Sequence, residues 1–161
     1  MDFLIRDATE SDFEALLALF DEVAAERIYI GTQPGFDREL YRSGWSDALV
    51  DPDRLLLVAI VGDAPVGTLG IRERRDLGAG IGMLVSSDYR KVGIGSALLD
   101  AAFAWARGRG FEELTLSVFP HNLAALALYR SAGFVEVERI ERAVTRQSGE
   151  VWGIIRMRKH L

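Results

Sequence analysis

The stretch Arg90-Lys91-Val92-Gly93-Ile94-Gly95-Ser96 constrains this chain more than any other. An apolar, strand-like run, Ile81 to Val85, comes before it. After it, Ala97, Leu98, Ala101, Ala102, Trp105 and Ala106 recur at helical spacing and share one face. A strand therefore turns through two glycines directly into a helix N-terminus. The first N–H groups of a helix lack intrahelical partners, and the helix dipole places its positive pole there. Glycine at 93 and 95 lets an anion approach the backbone closely, and Arg90 and Lys91 add positive charge beside it. This local chemistry predicts a site for a pyrophosphate.

Two common phosphate binders do not fit the spacing. A P-loop places Lys and then Ser or Thr after its last glycine. Here Ser96-Ala97 follows Gly95, and the basic pair lies ahead of the glycines. The dinucleotide fingerprint requires a third glycine three residues after the second. That position is Leu98. The other glycine run, Gly78-Ala79-Gly80-Ile81-Gly82, leads into apolar Met83-Leu84-Val85 and not into a helix start.

The segment from Val85 through Ser86, Ser87, Asp88 and Tyr89 to Arg90 and Gly95 resembles the pyrophosphate-binding signature of the GNAT superfamily of acyl-CoA N-acyltransferases. A second segment, Asn122 to Gly133-Phe134 with Tyr129 between, is similar to the downstream motif of that family. In both, an Asn opens a helix, a Tyr follows two turns later, and Gly-Phe closes it. The two matches come in the family's order, separated by a helix and a strand, and together cover Ile81 to Phe134.

The coarse element order agrees. Phe3 to Ile5 reads as a short strand, and Ser11 with Glu14 forms a candidate capping box, with Thr9 as a rival cap. Phe13, Leu16, Leu17, Phe20, Val23 and Ala24 mark a helix face, and Arg38 to Leu49 a second helix. Strands are expected at Leu55 to Val61, Val66 to Arg72, Ala79 to Val85, Leu114 to Val118, Phe134 to Arg142 and Val151 to Arg158. Arg72 to Asp76 reads as a charged loop. The whole, residues 1–161, is expected to be one α/β (α+β) domain. The resemblance implies a mixed, largely antiparallel sheet of about seven strands flanked by about four helices. In that fold the strands beside the cofactor splay apart.

Composition narrows the chemistry. The 161 residues are 49% apolar, enough for a core, and include no cysteine and two histidines. A disulfide scaffold, a thiolate metal centre and a cysteine nucleophile are excluded, and no metal is expected. Neither a signal peptide nor a membrane span is visible, so the expectation is a cytoplasmic protein without membrane partners. A formal charge of −5 argues against nucleic acid as a partner. It is mildly compatible with a cationic substrate, and ordinary solubility charge accounts for it better.

The resemblance also implies roles. Backbone amides of Lys91, Val92, Gly93, Ile94, Gly95 and Ser96 would cradle the pyrophosphate of acetyl-CoA. Val92 stands where many relatives carry Gly or a polar residue, but only its amide is needed. Arg90 is either a further phosphate contact or a solvated charge. The backbone groups of Met83, Leu84 and Val85 would pair with the pantetheine amides as if with another strand. Asn122 would cap its helix and bind the pantetheine arm. Tyr129 would be the general acid that protonates the departing thiolate.

No general base is assigned. Some relatives carry Glu where this chain has Ser117; Glu22, Glu26, Glu73 and His121 are candidates elsewhere. Tyr29, Phe36, Asp37 and Trp152 are candidates to line an acceptor site, with Arg142 to Glu150 as a lid. The reading is an acetyl-CoA-dependent transferase of acetyl to a primary amine on a small molecule, an amino acid or a peptide N-terminus. The alternative is a non-catalytic acyl-CoA-binding sensor. Homodimerisation is common in the fold, and the sequence carries no distinctive interface signal.

Overall fold

The expected element order is present in the computed structural model, which describes residues 1–75 and 77–161. The chain runs β1 (Leu4–Asp7), α1 (Phe13–Ala25), α2 (Arg38–Val50), β2 (Leu55–Val61), β3 (Ala64–Arg74), β4 (Gly78–Val85), α3 (Ile94–Gly108), β5 (Glu113–Val118), α4 (Leu123–Ser131), β6 (Val135–Thr145) and β7 (Val151–His160). The strands form one sheet in the order β1-β2-β3-β4-β5-β7-β6. Every neighbouring pair is antiparallel except β4 and β5.

Strand alternation divides the core into two layers. Leu55, Leu57, Leu69, Ile71, Ile81, Leu114, Leu116, Ile155 and Met157 face α3 and α4. Leu56, Val58, Ile60 and Leu84 face α1 and α2. On α3 the buried stripe is Ile94, Leu98, Leu99, Ala102, Phe103 and Ala106. It is rotated from the expected alanine-rich face because Leu99 and Phe103 offer more apolar surface to bury than Ala97 and Ala101. No helix among the described residues is long and apolar enough to cross a membrane.

Several boundaries differ from expectation for reasons visible in the contacts. Thr9, not Ser11, caps the 3-10 turn Glu10–Asp12 that leads into α1: the Thr9 N–H donates to Asp12 Oδ2 at 2.8 Å. Asp12 is buried and is also gripped by Arg6 of β1 at 2.8 and 2.9 Å. Glu14 instead pairs with Arg42 of α2. Arg72 to Arg74 belong to β3, with Asp76 outside the described residues. β6 continues to Thr145 because its ladder with β7 extends to Thr145↔Val151. Its residues are mostly exposed, so no apolar alternation marks its end.

The feature that positions the site is a parting of two strands. β3 and β4 pair along their length, from Gly67↔Val85 to Arg74↔Gly78. β4 and β5 share the single pair Gly80↔Thr115. Beyond it, Ile81–Val85 and Leu116–Val118 have no strand between them.

Candidate active site

Beyond β4 the chain makes a 3-10 turn, Ser87–Tyr89, and then enters the glycine segment. Lys91 has φ 62° and Gly93 φ 94°, both left-handed. That conformation suits glycine, whereas at Lys91 it costs about 1–2 kcal/mol. Gly93 is the N-cap of α3, and no side chain caps the helix. The first intrahelical bond is Ala97 N–H to Gly93 O at 3.1 Å. Among the described residues, the N–H groups of Ile94, Gly95 and Ser96 thus have no protein acceptor, at the positive end of a 15-residue helix. Lys91, Val92 and Ser96 are exposed around them, while the Ile94 side chain is buried in the core. Gly95 is small for a tertiary reason. A Cβ there would lie 2.8 Å from Leu128 Cδ2 of α4.

The edges of the gap follow from alternation. Ser86 N–H donates to Val66 O at 2.8 Å, so its backbone faces β3. Counting back by twos, Leu84 also faces β3, whereas Met83 and Val85 turn their N–H and C=O groups into the gap. The three residues considered together from sequence are thus divided two to one. On the opposite edge Thr115 pairs toward β4, so Ser117 likewise faces the gap.

Arg90 does not project into solvent. Its Nη atoms donate to both Glu26 oxygens at 2.9 and 2.6 Å, and its Nε donates to Val85 O at 3.0 Å. The guanidinium also lies 4.9 Å from the Tyr29 ring centroid. Glu26 holds the Arg90 pKa above its ordinary value, chiefly through that hydrogen bond. The side chain ties the end of α1 to the end of β4 and has its carboxylate partner already.

The α4 segment supplies the other two residues. The Asn122 carbonyl accepts from Ala125 N–H at 3.2 Å, leaving its NH2 group without a described acceptor. Tyr129, two turns on, is buried and packs edge-on against Phe134. Burial pushes its phenol up to about 12. Its hydroxyl has no hydrogen-bond partner among the described residues.

The candidate bases are mostly committed elsewhere. Glu26 holds Arg90, and Glu22 accepts from the Ser86 hydroxyl at 2.7 Å. Glu73 is exposed on β3. His121 Nε2 lies 2.7 Å from Ile28 O, and its ring stacks on Phe119 and meets Trp152 edge-on. Asp37 caps α2 by accepting from Leu40 N–H, and Phe36 joins Phe20 and Tyr41 in an aromatic cluster. The polar turn after β6 rests on the α1–α2 loop: Gln147 N–H donates to Gln33 Oε1 and Gln147 Nε2 to Pro34 O, both at 2.8 Å. Arg146 was not singled out from sequence. It is buried, with its guanidinium 4.2 Å from the Trp152 ring centroid. A buried arginine in a polar turn has no local signature.

Comparison with known proteins agrees with this architecture. Human N-acetyltransferase 8 is 37% identical over 79 residues, spanning 48% of this chain and about a third (34%) of its own length. An aminoglycoside N(6')-acetyltransferase of Stenotrophomonas maltophilia is 29% identical over 130 residues, covering 74% of this chain and 84% of its own. The crystal structure of a ribosomal-protein-alanine N-acetyltransferase from Brucella melitensis superposes with TM-score 0.88 at 29% identity, over 98% of this chain and 99% of that one. A phosphinothricin acetyltransferase of Sinorhizobium meliloti, solved with acetyl-CoA, shares the fold at TM-score 0.89 and 18% identity, over 100% and 89% of the two chains. The model of the Acetyltransferase (GNAT) family matches residues 13–134, and the chain belongs to that family.

Proposed function

We propose that this protein transfers the acetyl group of acetyl-CoA to a primary amine. The observation that carries the reading is the gap between β4 and β5 with the uncapped start of α3 at its mouth. A pantetheine arm is an extended chain with two amides, and an open strand edge is the surface that pairs with such a chain. Met83 and the Val85 N–H supply that edge, the Val85 carbonyl being already bonded by Arg90 Nε. The amides from Lys91 to Ser96 would hold the pyrophosphate, and the free NH2 of Asn122 would reach the arm from the α4 side. When bound, acetyl-CoA supplies an activated acyl group.

Tyr129 is assigned the proton transfer. The amine nitrogen forms the new C–N bond, the C–S bond breaks, and the phenol gives its proton to sulfur while the amine's surplus proton leaves to water. A phenol with pKa about 12 keeps its proton across the whole range in which amines become neutral. The Tyr129 phenol favours transfer over a non-catalytic sensor, because a sensor requires no proton donor.

Thermal unfolding with acetyl-CoA, CoA, NADH and ATP tests the cofactor. Acetyl-CoA and CoA are expected to raise the midpoint by about 5–10 °C at roughly 100 times Kd, and NADH and ATP are not. Absence of a shift with acetyl-CoA removes the reading. Thiol release dependent on added amine then tests transfer itself.

A further inference from the structure

The sheet face that α1 and α2 cover at Leu84 continues along β4 as Gly82 and Gly80, by alternation. Residues paired across an antiparallel ladder share a face, so Gly70, Arg72 and Arg74 of β3 lie on it with Gly82, Gly80 and Gly78. Arg156 and Arg158 of β7 join it, opposite Ser117 and Thr115. Gly82 is exposed, and a Cβ there would meet nothing within 4 Å. Gly80 is different. A Cβ there would lie 2.5 Å from Arg74 Cδ. The Arg74 side chain therefore leaves its own position opposite Gly78 and lies over Gly80, running toward the end where β4 and β5 part. Gly80 is about 10 Å from Met83 along the strand.

Cations dominate this trough. Arg156 pairs with Glu138 at 2.8 Å and Arg158 with Glu113 at 3.3 Å. Arg72 and Arg74 have no carboxylate within 4 Å among the described residues. The Arg74 pKa is lowered, first by desolvation and then by the charges of Arg72 and Arg156. Like charges brought together on a half-solvated surface cost energy unless an anion joins them. A cavity of about 360 Å³ opens at the Gly78 end of this face, lined by Arg75, Arg156 and Arg158 together with Glu113, Glu138 and Thr115. On the same face of β7, buried Arg146 lies over Trp152, with no carboxylate within 4 Å among the described residues. The local charge is thus opposite to the chain's formal −5.

We infer that the acceptor amine carries a carboxylate, held by Arg74 with Arg72 and Arg156 on the trough beside Gly82. This rests on the acetyl-transfer reading and names its substrate class: an amino acid or a short acidic peptide, and not a polycationic aminoglycoside.

The test compares amine-dependent thiol release for amino acids, their carboxamides, short peptides with and without an acidic residue, and kanamycin. Carboxylates are expected to exceed their carboxamides by about 10- to 100-fold in kcat/KM, the range of a charge-assisted hydrogen bond. Arg74→Gln and Gly80→Ala, which displaces Arg74, should each remove most of that preference, mainly through KM, while the acetyl-CoA-dependent midpoint rise persists. Equal or better turnover of carboxamides or kanamycin overturns the proposal, as does a preference that survives both substitutions. Free amino acids outpacing the acidic peptides, or the reverse, identifies which carries the carboxylate. A second readout needs no turnover. With CoA present, N-acetyl amino acids should raise the wild-type midpoint beyond sodium chloride of equal ionic strength, and should do so less for Arg74→Gln. No such rise overturns the carboxylate site. Failure of acetyl-CoA itself to shift the midpoint is the separate failure of the acetyl-transfer reading.

Discussion

Tyr129 separates a side chain's packing from its chemistry. Its ring is buried against Phe134, whereas its hydroxyl is not among the sealed side-chain atoms that lack a partner. Tyr129→Phe should therefore change stability by less than about 1 kcal/mol in urea denaturation, while kcat falls about 10²-fold or more. A loss of stability with activity retained would make the ring a packing residue only. The raised pKa has a sign that titration checks. The folded state holds the phenol proton more tightly than the unfolded chain, so this contribution is complete below about pH 10. It is lost as pH rises through about 12. Wild type should accordingly lose stability relative to Tyr129→Phe across that window. Arg90 is the contrasting case. Its side chain and that of Glu26 are 30% and 25% exposed, and the two are 64 positions apart in sequence. Arg90→Ala should cost about 1–3 kcal/mol by leaving Glu26 and Val85 O unpaired, and Glu26→Gln less.

Elements meet through glycines. The α3 helix approaches α4 closely enough that Gly95→Ala must displace Leu128. Since α4 also carries Asn122 and Tyr129, the substitution should reduce the acetyl-CoA-dependent midpoint shift, at a stability cost of about 1 kcal/mol or less because only the half-buried Leu128 methyl must move. Normal stability with a normal shift would mean that α4 moves freely. The start of α1 is held by one carboxylate shared between Thr9 and Arg6. The Asp12 pKa lies below its usual value, first because of the hydrogen bond from Arg6. Its stabilisation is present above the ordinary carboxylate range and is lost as pH falls through the lowered value. The stability gap between wild type and Asp12→Asn should close on acidification, which unfolding free energies measured from neutral to acid pH would reveal.

At the scale of the molecule, strands β1–β4 and β5–β7 are joined within the sheet at one paired position. Hydrogen exchange reads this directly. Adding acetyl-CoA should slow exchange of the Met83 and Val85 amides about 10-fold or more, with a smaller effect at Leu84, whose backbone is already bonded to β3. Uniform slowing of all three would mean that ligand stabilises the whole fold without pairing along β4.

The glycine turn into α3, the helix start at Asn122 and the order of elements were legible in the sequence. Each rests on residues close together in the chain: glycines where the backbone turns left-handed, side chains that cap the next helix turn, and apolar periods of two or 3.6. The sequence did not show which of Met83, Leu84 and Val85 faces the gap, because one hydrogen bond from Ser86 to Val66 sets the register. Nor did it show that Arg90 is claimed by Glu26, that Arg74 lies over Gly80, or that Arg146 is buried on Trp152. The net charge of −5 was compatible with a cationic acceptor, yet the folded trough gathers guanidinium groups. Composition sums charges over the whole chain, whereas the field at a site depends on which few of them the tertiary fold brings together.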